Sequence, residues 1–365
     1  MVSRFGIAIA ALLFATPIFA APESPAAVSF SARGDGEIIT NTSGMTLYTF
    51  GRDLEPGKSF CNGPCAKLWP PLLAAADAKA SGDWTLITRD DGTKQWAYRG
   101  SPLYAYSKDQ APGHTYGDDL NKQWHIAFRP MFTPPEVSIV KTLKGQVLAN
   151  AKGLSLYTSK ADKADQSKCA DACTRTWIPL EAPWAAIKRG DWSVVKREDG
   201  TKQWAYRGQP LYTHAGDAQA SATSGDGLDP KWQVAVVEPP APLPGFVKVT
   251  QSDAGELYTD GRGRTLYQRE AKRAQGLGFN EADLQSNNVP RGFEPVTPEN
   301  TEDAKPVGNW ALIDNGGKKQ WAYKGLPLYT NVNDIAPGDL KGVRGTDRSF
   351  YTIMRSGELM QGTGQ

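Results

Sequence analysis

The sequence has no excess of either charge and few histidines, and these shortages exclude several classes of function. It carries 41 basic and 39 acidic side chains over 365 residues, a net charge of +2. No basic stripe of the kind that follows a phosphate backbone is present, so nucleic acid is not an expected partner. There are three histidines, and the G-x-S-x-G, H-E-x-x-H and P-loop motifs are absent. We therefore expect no enzyme of these types and assign no catalytic residues.

Long hydrophobic segments are also missing. The apolar run at residues 7–14 is shorter than the roughly 20 residues that cross a bilayer, and no later stretch is apolar enough. With Arg4 before it and small residues at 16–21 after it, this run predicts an export signal over residues 1–20. The mature chain is expected to be soluble, without a transmembrane segment, and either periplasmic or secreted.

What the sequence does contain is repetition. Residues 91–100, DGTKQWAYRG, recur unchanged at 199–208 and as GGKKQWAYKG at 316–325. Copies of a repeat are controls for one another, because a residue that the scaffold needs should recur in each. Proline-rich segments at 129–135 and 238–244 are typical of semi-rigid spacers. They predict three domains, each with two related halves: 28–129 (repeat 1), 137–238 (repeat 2) and 246–356 (repeat 3).

Short alternating segments between glycine turns predict a mostly β fold. Residues 84–89 and 95–99 alternate large apolar and polar side chains and are joined through Asp-Asp-Gly, which indicates a hairpin. The helical candidate is residues 64–69, where Pro64 suits a first turn and Pro70 ends the helix. We expect three tandem small antiparallel β domains of about 100 to 110 residues, each with one short helical turn.

The cysteines form two CxxxC pairs, Cys61 with Cys65 and Cys169 with Cys173. Exported proteins meet an oxidising compartment, which favours disulfides. A four-residue separation on a helical turn places the Cα atoms about 6 Å apart, within the range that a disulfide tolerates. In repeat 3 the same offsets fall on Gln285 and Val289, so both cysteines are lost together. Joint loss is what a bonded pair predicts.

A metal or redox site is the alternative use of these cysteines. Paired thiolates favour Cu(I), and Cys61 and Cys65 could share a site with His114 or His125. The residue that aligns with His125 in repeat 2 is Gln233, so a histidine ligand cannot be common to both cysteine-bearing repeats. A dithiol redox role is a further alternative, although redox motifs usually have the tighter C-x-x-C spacing. We therefore predict no cofactor, with copper as the alternative.

Tryptophans recur at one register in the repeats. Recurrence at alternating strand positions favours core packing over an exposed platform for sugars or other ligands. The tyrosines Tyr48 and Tyr104 are expected to pack similarly with their hydroxyls at the rim, and Asp53 and Asp109 to cap or close turns. The predicted core tryptophans are Trp69, Trp84, Trp96, Trp124, Trp177, Trp192, Trp204, Trp232, Trp310 and Trp321.

Repeat 1 carries the strongest resemblance to a known family. Residues 47–53 (LYTFGRD), 61–72 (CNGPCAKLWPPL) and 124–127 (WHIA), together with the QWAY segment, resemble the secreted-repeat family of predicted bacterial lipoproteins, here in three tandem copies. Its tyrosine, aromatic, aspartate motif corresponds to Tyr48, Phe50 and Asp53. Repeat 2 keeps Tyr157 and Asp162 but has serine between them, and repeat 3 keeps only the tyrosine. The resemblance implies an envelope location and provides no catalytic set.

These observations lead to one expected function and one alternative. We expect an exported, non-enzymatic repeat protein of the bacterial envelope that acts as a binding or scaffold module. Its partner would be an envelope protein or a small ligand. The alternative is a periplasmic Cu(I)-binding or thiol-redox accessory protein that uses the CxxxC pairs.

Overall fold

The structure is a computed structural model that describes residues 24–269, 273–274, 278–279, 289, 291–299, 304–344, 350–355 and 359–360. The predicted export signal at residues 1–20 lies outside the described residues, as does Gln285. The described part of the chain is mostly β with a few short helices, as the sequence predicts. None of the described helices has the length and apolar character needed to cross a membrane.

Repeat 1 contains nine short strands and one α-helical turn. They are β1 (Val28–Arg33), β2 (Gly36–Asn41), β3 (Leu47–Phe50), α1 (Pro64–Leu68), β4 (Trp84–Thr88), β5 (Lys94–Tyr98), β6 (Ser101–Pro102), β7 (Tyr104–Ala105), β8 (Trp124–Ile126) and β9 (Phe128–Pro130). A 3-10 turn at Leu120–Lys122 precedes β8. The helix α1 occupies the predicted segment, with Pro64 in its first turn.

Repeat 2 follows the same order and adds one strand. Its elements are β10 (Val137–Thr142), β11 (Gly145–Asn150), β12 (Leu156–Ser159), α2 (Cys173–Thr176), β13 (Trp177–Pro179), β14 (Trp192–Lys196), β15 (Lys202–Tyr206), β16 (Gln209–Pro210), β17 (Tyr212–His214), β18 (Trp232–Val234) and β19 (Val236–Glu238).

The described part of repeat 3 contains eleven strands and one helical turn. They are β20 (Lys248–Ser252), β21 (Gly255–Thr259), β22 (Tyr267–Arg269), β23 (Arg273–Ala274), β24 (Gly278–Phe279), β25 (Phe293–Pro295), β26 (Trp310–Asn315), β27 (Lys318–Tyr323), β28 (Leu326–Asn331), α3 (Lys341–Arg344), β29 (Phe350–Ile353) and β30 (Leu359–Met360).

Each of the first two repeats forms three small antiparallel sheets. In repeat 1 their strand orders are β1-β2-β9, β7-β3-β8 and β4-β5-β6, and in repeat 2 they are β10-β11-β19, β13-β17-β12-β18 and β14-β15-β16. In repeat 3, β28 runs unbroken where the other repeats have two shorter strands. It therefore joins two of these sheets into one of seven strands, β26-β27-β28-β22-β29-β30 with β25 also on β28.

The hairpin β4–β5 shows how the alternating pattern builds a core. Trp84 lies opposite Tyr98 and Leu86 lies opposite Trp96, so the large apolar side chains share one face. Gly92 has a φ of +80° in the connecting turn, a conformation that glycine adopts without strain. The tryptophans of this hairpin are at most 7% exposed.

Two hydrophobic clusters lie in each repeat. The hairpin cluster of repeat 1 contains Trp84, Trp96 and Leu47, and the disulfide cluster contains Cys61, Trp69 and Trp124. Repeat 2 has the same two clusters. Repeat 3 has a hairpin cluster around Trp310 and Trp321, and an equivalent of the disulfide cluster built on Tyr267, Phe293 and Phe350 without cysteine.

The repeats also contact one another. The Gly34 amide donates to Glu238 Oε2 at 2.5 Å, which joins repeats 1 and 2. Arg355 donates to the Leu143 carbonyl at 2.5 Å, which joins repeats 3 and 2. Lys324 Nζ lies 3.2 Å from the Asp118 carbonyl oxygen, which joins repeats 3 and 1. Each repeat therefore contacts both of the others, and its independence as a domain stays a prediction.

Candidate functional sites in the repeats

Both CxxxC pairs form disulfides. Cys61 and Cys65 are joined with an S–S distance of 2.00 Å and a Cα separation of 5.2 Å. Cys169 and Cys173 are joined at 1.92 Å, with their Cα atoms 5.3 Å apart. Each bond links a loop to the first turn of a helix, α1 or α2, directly before a core tryptophan. No described cysteine is free, so in this state no thiolate is available to bind a metal or to attack a disulfide.

A buried arginine ties each disulfide loop to the neighbouring hairpin. Arg89 donates to the Cys61 carbonyl at 2.7 Å, to Gln95 Oε1 at 2.6 Å and to Ser59 Oγ at 2.9 Å. Repeat 2 repeats these contacts through its own arginine, Arg197. Arginine suits this position because its planar guanidinium presents five donors to several oxygens at once.

The arginine disappears together with the cysteines. In repeat 3 the aligned residue is Asn315, whose side-chain amide donates to Gln320 Oε1 at 2.6 Å and so keeps one contact of the set. The sequence analysis missed Arg89 and Arg197. The available signal was an arginine five residues after the first tryptophan of the hairpin, which occurs in the two cysteine-bearing repeats and is absent from repeat 3.

Pairs of tyrosine and aspartate bind the two halves of each repeat to each other. Each half of repeat 1 has a tyrosine followed five residues later by an aspartate: Tyr48 and Asp53, then Tyr104 and Asp109. The hydroxyl of Tyr48 donates to Asp109 at 2.7 Å, and that of Tyr104 donates to Asp53 at 2.6 Å. Each tyrosine therefore bonds the aspartate of the other half. We call these the crossed Tyr–Asp pairs.

The crossed Tyr–Asp pairs recur in the other repeats. In repeat 2, Tyr157 donates to Asp217 and Tyr212 to Asp162, both at 2.8 Å. In repeat 3, Tyr267 donates to Asp334 at 2.7 Å. The aspartate of the first half, which corresponds to Asp53, is replaced in repeat 3 by Lys272, which lies outside the described residues. The tyrosine and the aspartate of one motif are close in sequence, but they do not bond each other. Each is hydrogen-bonded to a residue of the other half.

The aspartates close loops, but the tyrosine hydroxyls do not lie at the rim. Asp109 accepts the Tyr116 amide at 2.9 Å and Asp53 accepts the Phe60 amide at 2.8 Å. Tyr48 and Tyr104 are both 0% exposed, contrary to the expectation of hydroxyls at the solvent boundary. The physical reason is that a carboxylate inside the repeat accepts each hydroxyl proton, so neither group needs water.

Burial sets the protonation of these groups. It raises the pKa of Asp109 and of Asp334 to about 6, although the tyrosine hydroxyl that each accepts acts in the opposite direction. Burial and the neighbouring carboxylate also raise the pKa values of Tyr48 and Tyr267. A neutral phenol that donates to a carboxylate is a structural link and not an activated nucleophile.

The aromatic of the motif extends a ring stack in repeat 1. Phe50 stacks on Trp124 with 4.2 Å between ring centroids, Trp124 on Trp69 with 3.6 Å, and Trp69 on Tyr106 with 4.3 Å. Repeat 2 keeps the central pair, Trp177 and Trp232, and has Ser159 where Phe50 stands. The replaced ring is the outermost of the stack, so the central pair keeps its partner without it.

All ten tryptophans named above as core residues are at most 7% exposed. The eleventh, Trp184, is 87% exposed. It has no tryptophan at the aligned positions of the other repeats, and the sequence analysis did not single it out.

The two candidate histidine ligands lie apart from any metal-binding cluster. His114 stacks on Tyr116 with 4.3 Å between ring centroids, and His125 is exposed on β8 opposite Thr49. Within the described residues, no group of three or more histidine, cysteine, aspartate or glutamate side chains is placed to hold a metal ion. The structure therefore does not bring His114 or His125 together with Cys61 and Cys65 as a ligand set.

Repeat 2 contains a serine, histidine and aspartate in contact. Ser224 Oγ donates to Asp217 Oδ1 at 2.5 Å, and His214 Nδ1 lies 3.3 Å from the same hydroxyl. In a hydrolase triad the histidine stands between serine and aspartate and takes the serine proton. Here the serine hydroxyl donates to the aspartate, which also accepts the Tyr157 hydroxyl. The arrangement stabilises a loop and does not activate the serine.

Comparison with known proteins identifies the repeating unit. Five stretches match the sequence profile of a family described as a secreted repeat of unknown function, Lipoprotein_15: residues 29–73, 85–127, 138–181, 193–236 and 312–346. The first four correspond to the halves of repeats 1 and 2, and the fifth lies in the second half of repeat 3. The expected count of three copies is therefore not confirmed, since the matching unit is the half.

No curated protein and no solved structure matches the chain. The five matched stretches span more than half of its 365 residues, and each of the first four carries one tyrosine and one aspartate of the crossed pairs. The chain belongs to the family of secreted repeats of unknown function.

Proposed function

We propose that this protein is an exported, non-enzymatic binding or scaffold module of the cell envelope, whose partner binds surfaces that differ between the repeats. The observation that supports this proposal is the internal use of the cysteines and of the recurring tyrosines that face an aspartate. The four sulfurs are bonded in pairs, and the recurring tyrosine hydroxyls that face an aspartate donate to it. A site that acted on a substrate would need at least one such group to be accessible.

Two large apolar side chains that distinguish repeat 2 from repeat 1 are instead exposed. Trp184 and Ile187 of repeat 2 are 87% and 76% exposed, and the aligned residues of repeat 1 are Ala76 and Lys79. Exposed apolar side chains that lie close together are typical of interaction surfaces. A binding module needs a stable scaffold with exposed side chains that differ from one repeat to the next. Trp184 and Ile187 on the disulfide-bonded repeat 2 fit this description.

The copper or thiol-redox alternative gains no support from the described residues. Cys61 and Cys65 are bonded to each other, and His114 and His125 are not grouped with them. Quantifying free thiols and copper in protein isolated from the exporting cell tests this alternative. We expect no free thiol and no stoichiometric copper, and reduced cysteines with bound copper would overturn the proposal.

Site-specific photocrosslinking tests the binding function itself. A photoreactive amino acid is placed at position 184 in one version of the full chain and at the aligned position 76 in another, and both are irradiated in the exporting cell. We expect adducts from position 184 and few from position 76. Equal absence of adducts at both positions would argue against a partner on this surface.

A further inference from the structure

One loop of repeat 2 carries the apolar surface that repeat 1 lacks. It comprises residues 183–190 between β13 and β14, and we call it the Trp184 loop. Its backbone is fixed, because the Ala186 amide donates to the Pro183 carbonyl at 2.9 Å and Lys202 Nζ donates to the Trp184 carbonyl. The indole of Trp184 nevertheless points into solvent, with 87% of the residue exposed.

The same loop in repeat 1 has the same anchor and different side chains. Lys94 Nζ donates to the Ala76 carbonyl at 2.8 Å, as Lys202 does to that of Trp184. The fold of the loop therefore does not depend on a large side chain at this position. Trp184 and Ile187 are therefore exposed without being required for the backbone anchor of the loop.

Basic side chains surround the exposed apolar ones. Lys188 and Arg189 follow Ile187 directly and are exposed. The nearest acidic residues in sequence are Glu181 and Asp191, and Asp191 forms an ion pair with Arg207 at 2.9 Å. The guanidinium of Arg189 lies 3.9 Å from the ring centroid of Phe132, which is itself 40% exposed. The loop thus presents an indole and an aliphatic side chain next to two positive charges.

This combination matches the surface of an anionic lipid bilayer. Tryptophan favours the headgroup region, where its ring is partly in hydrocarbon and its N–H remains hydrated. Lysine and arginine are attracted to anionic headgroups. Recognition of a sugar usually requires carboxylate or amide side chains beside the ring, and residues 183–190 supply none. A bilayer requires no such acceptors.

We propose that the Trp184 loop docks repeat 2 on anionic lipid, with Trp184 and Ile187 entering the headgroup region and Lys188 and Arg189 contacting the headgroups. This inference rests on the proposed binding function and names the partner of one surface. Two apolar side chains support reversible, peripheral attachment, in contrast to the permanent insertion of a transmembrane helix.

The test measures binding of the full mature chain to lipid vesicles by cosedimentation. Vesicles of phosphatidylcholine alone are compared with vesicles that also contain phosphatidylglycerol. The variant W184A/I187K places the repeat 1 residues at the two apolar positions and keeps the backbone anchor that both loops share. We expect the wild type to bind only the anionic vesicles. The affinity of the variant for these vesicles should be lower by about tenfold or more.

The reciprocal variant, A76W/K79I/A80K/S81R, places the apolar and basic residues of the Trp184 loop in repeat 1 and provides a matched gain of function. It is expected to strengthen binding to anionic vesicles, and added salt to weaken binding by the wild type. Equal binding by the wild type and W184A/I187K would overturn the lipid proposal. Failure to bind vesicles, together with a protein adduct at position 184 in the crosslinking experiment, would also overturn it but would leave the binding function intact.

Discussion

At the residue scale, the crossed Tyr–Asp pairs explain why repeats 1 and 2 both contain the tyrosine and the aspartate of the motif, whereas the aromatic between them is replaced in repeat 2. Tyr48 and Asp53 are five residues apart in sequence, yet they bond partners in the other half of the repeat. Phe50 stacks at the end of a ring column, and serine replaces it in repeat 2. The motif residues that hold the halves together recur in repeats 1 and 2, and the outer ring does not.

Removing one hydroxyl of a crossed pair is expected to destabilise the protein. Tyr48→Phe removes the closest hydrogen-bond donor of Asp109 in a site that excludes water. We therefore expect a loss of about 1 to 3 kcal/mol in the free energy of unfolding. Urea denaturation with far-UV circular dichroism measures it. Tyr329→Phe is the control, because repeat 3 has Lys272 in place of the paired aspartate. A cost as large for Tyr329→Phe would contradict the role assigned to the carboxylate.

The raised pKa values of Asp109 and Asp334 predict a dependence of stability on pH. Their ordinary pKa is 3.8, and it is about 6 in the folded protein. Between these values the folded state keeps protons that the unfolded state releases, so stability is highest below pH 4 with respect to these groups and falls as the pH rises to 6. Each buried carboxyl contributes about 3 kcal/mol to that fall.

Asp109→Asn tests this dependence, because its side chain stays neutral throughout. Thermal or urea unfolding from pH 4 to pH 7 should show a fall in stability that is smaller by about 3 kcal/mol than in the wild type. Asp91→Asn is the control, since Asp91 is exposed and its pKa is lowered by the Thr93 hydroxyl and amide. An unchanged pH profile in Asp109→Asn would show that Asp109 does not retain its proton.

At the element scale, the disulfide loop and the hairpin are one structural unit. The guanidinium of Arg89 joins the Cys61 carbonyl to the Gln95 side chain, and Arg89 is 6% exposed. Closing a loop as short as Cys61–Cys65 contributes about 2 kcal/mol in the chain-entropy model. The arginine adds a contact between elements that the covalent bond alone does not make.

Arg89→Ala is therefore expected to destabilise the protein by about 3 kcal/mol, because it leaves buried oxygens without donors. The reduction in the urea midpoint measures this loss. Arg99→Ala provides the comparison, since Arg99 forms an exposed ion pair with Asp83 at 2.9 Å, and such pairs contribute less than about 1 kcal/mol. Similar losses in both variants would mean that Arg89 has no special role in the loop.

The elements and the disulfides could be predicted from the sequence, but the crossed pairs could not. Alternation and turn residues fixed the hairpin β4–β5, and Pro64 and Pro70 fixed the bounds of α1, because these signals are local. Joint loss of two cysteines predicted the bonds of Cys61 and Cys169. The partner of Tyr48 lies 61 residues away, and no local pattern specifies which aspartate accepts its hydroxyl. The seven-stranded sheet of repeat 3 likewise depends on the antiparallel pairing of β28 with β22, two strands that are far apart in sequence.

At the scale of the whole molecule, the contact between repeats 1 and 2 depends on a glycine without a side chain. A Cβ atom on Gly34 would lie 1.6 Å from the Val237 carbonyl oxygen, well inside van der Waals contact. The Gly34 amide donates to Glu238 at the end of β19. Any larger residue at position 34 must displace one repeat from the other.

Gly34→Ala is expected to separate repeats 1 and 2 without unfolding either. The spacer at residues 129–135 should then be cleaved faster in limited proteolysis, and the radius of gyration from small-angle scattering should rise. Gly245→Ala is the control, because a Cβ atom there would contact nothing within 4 Å. If Gly34→Ala instead lowered the melting temperature of the whole chain, the prediction of three independent domains would be wrong.

The contact between repeats 3 and 1 uses residues that have changed in repeat 3. Asp83 and Arg99 form an exposed ion pair in repeat 1, and the aligned residues of repeat 3 are Asn309 and Lys324. Asn309 instead bonds Thr115 of repeat 1, with its amide nitrogen 2.9 Å from the Thr115 hydroxyl. Asn309 and Lys324 thus contact repeat 1, whereas their counterparts in repeat 1 pair with each other.

The reciprocal bonding of the halves also constrains how such genes can grow. If one half were duplicated alone, its buried tyrosine and aspartate would have no hydrogen-bond partners. We therefore expect the array to gain or lose halves in pairs. Repeat 3 illustrates the exception, because its leading half has lost the acid and falls outside the five matched stretches, while its trailing half remains recognisable. The leading half nevertheless retains Tyr267, which still donates to Asp334 of the trailing half.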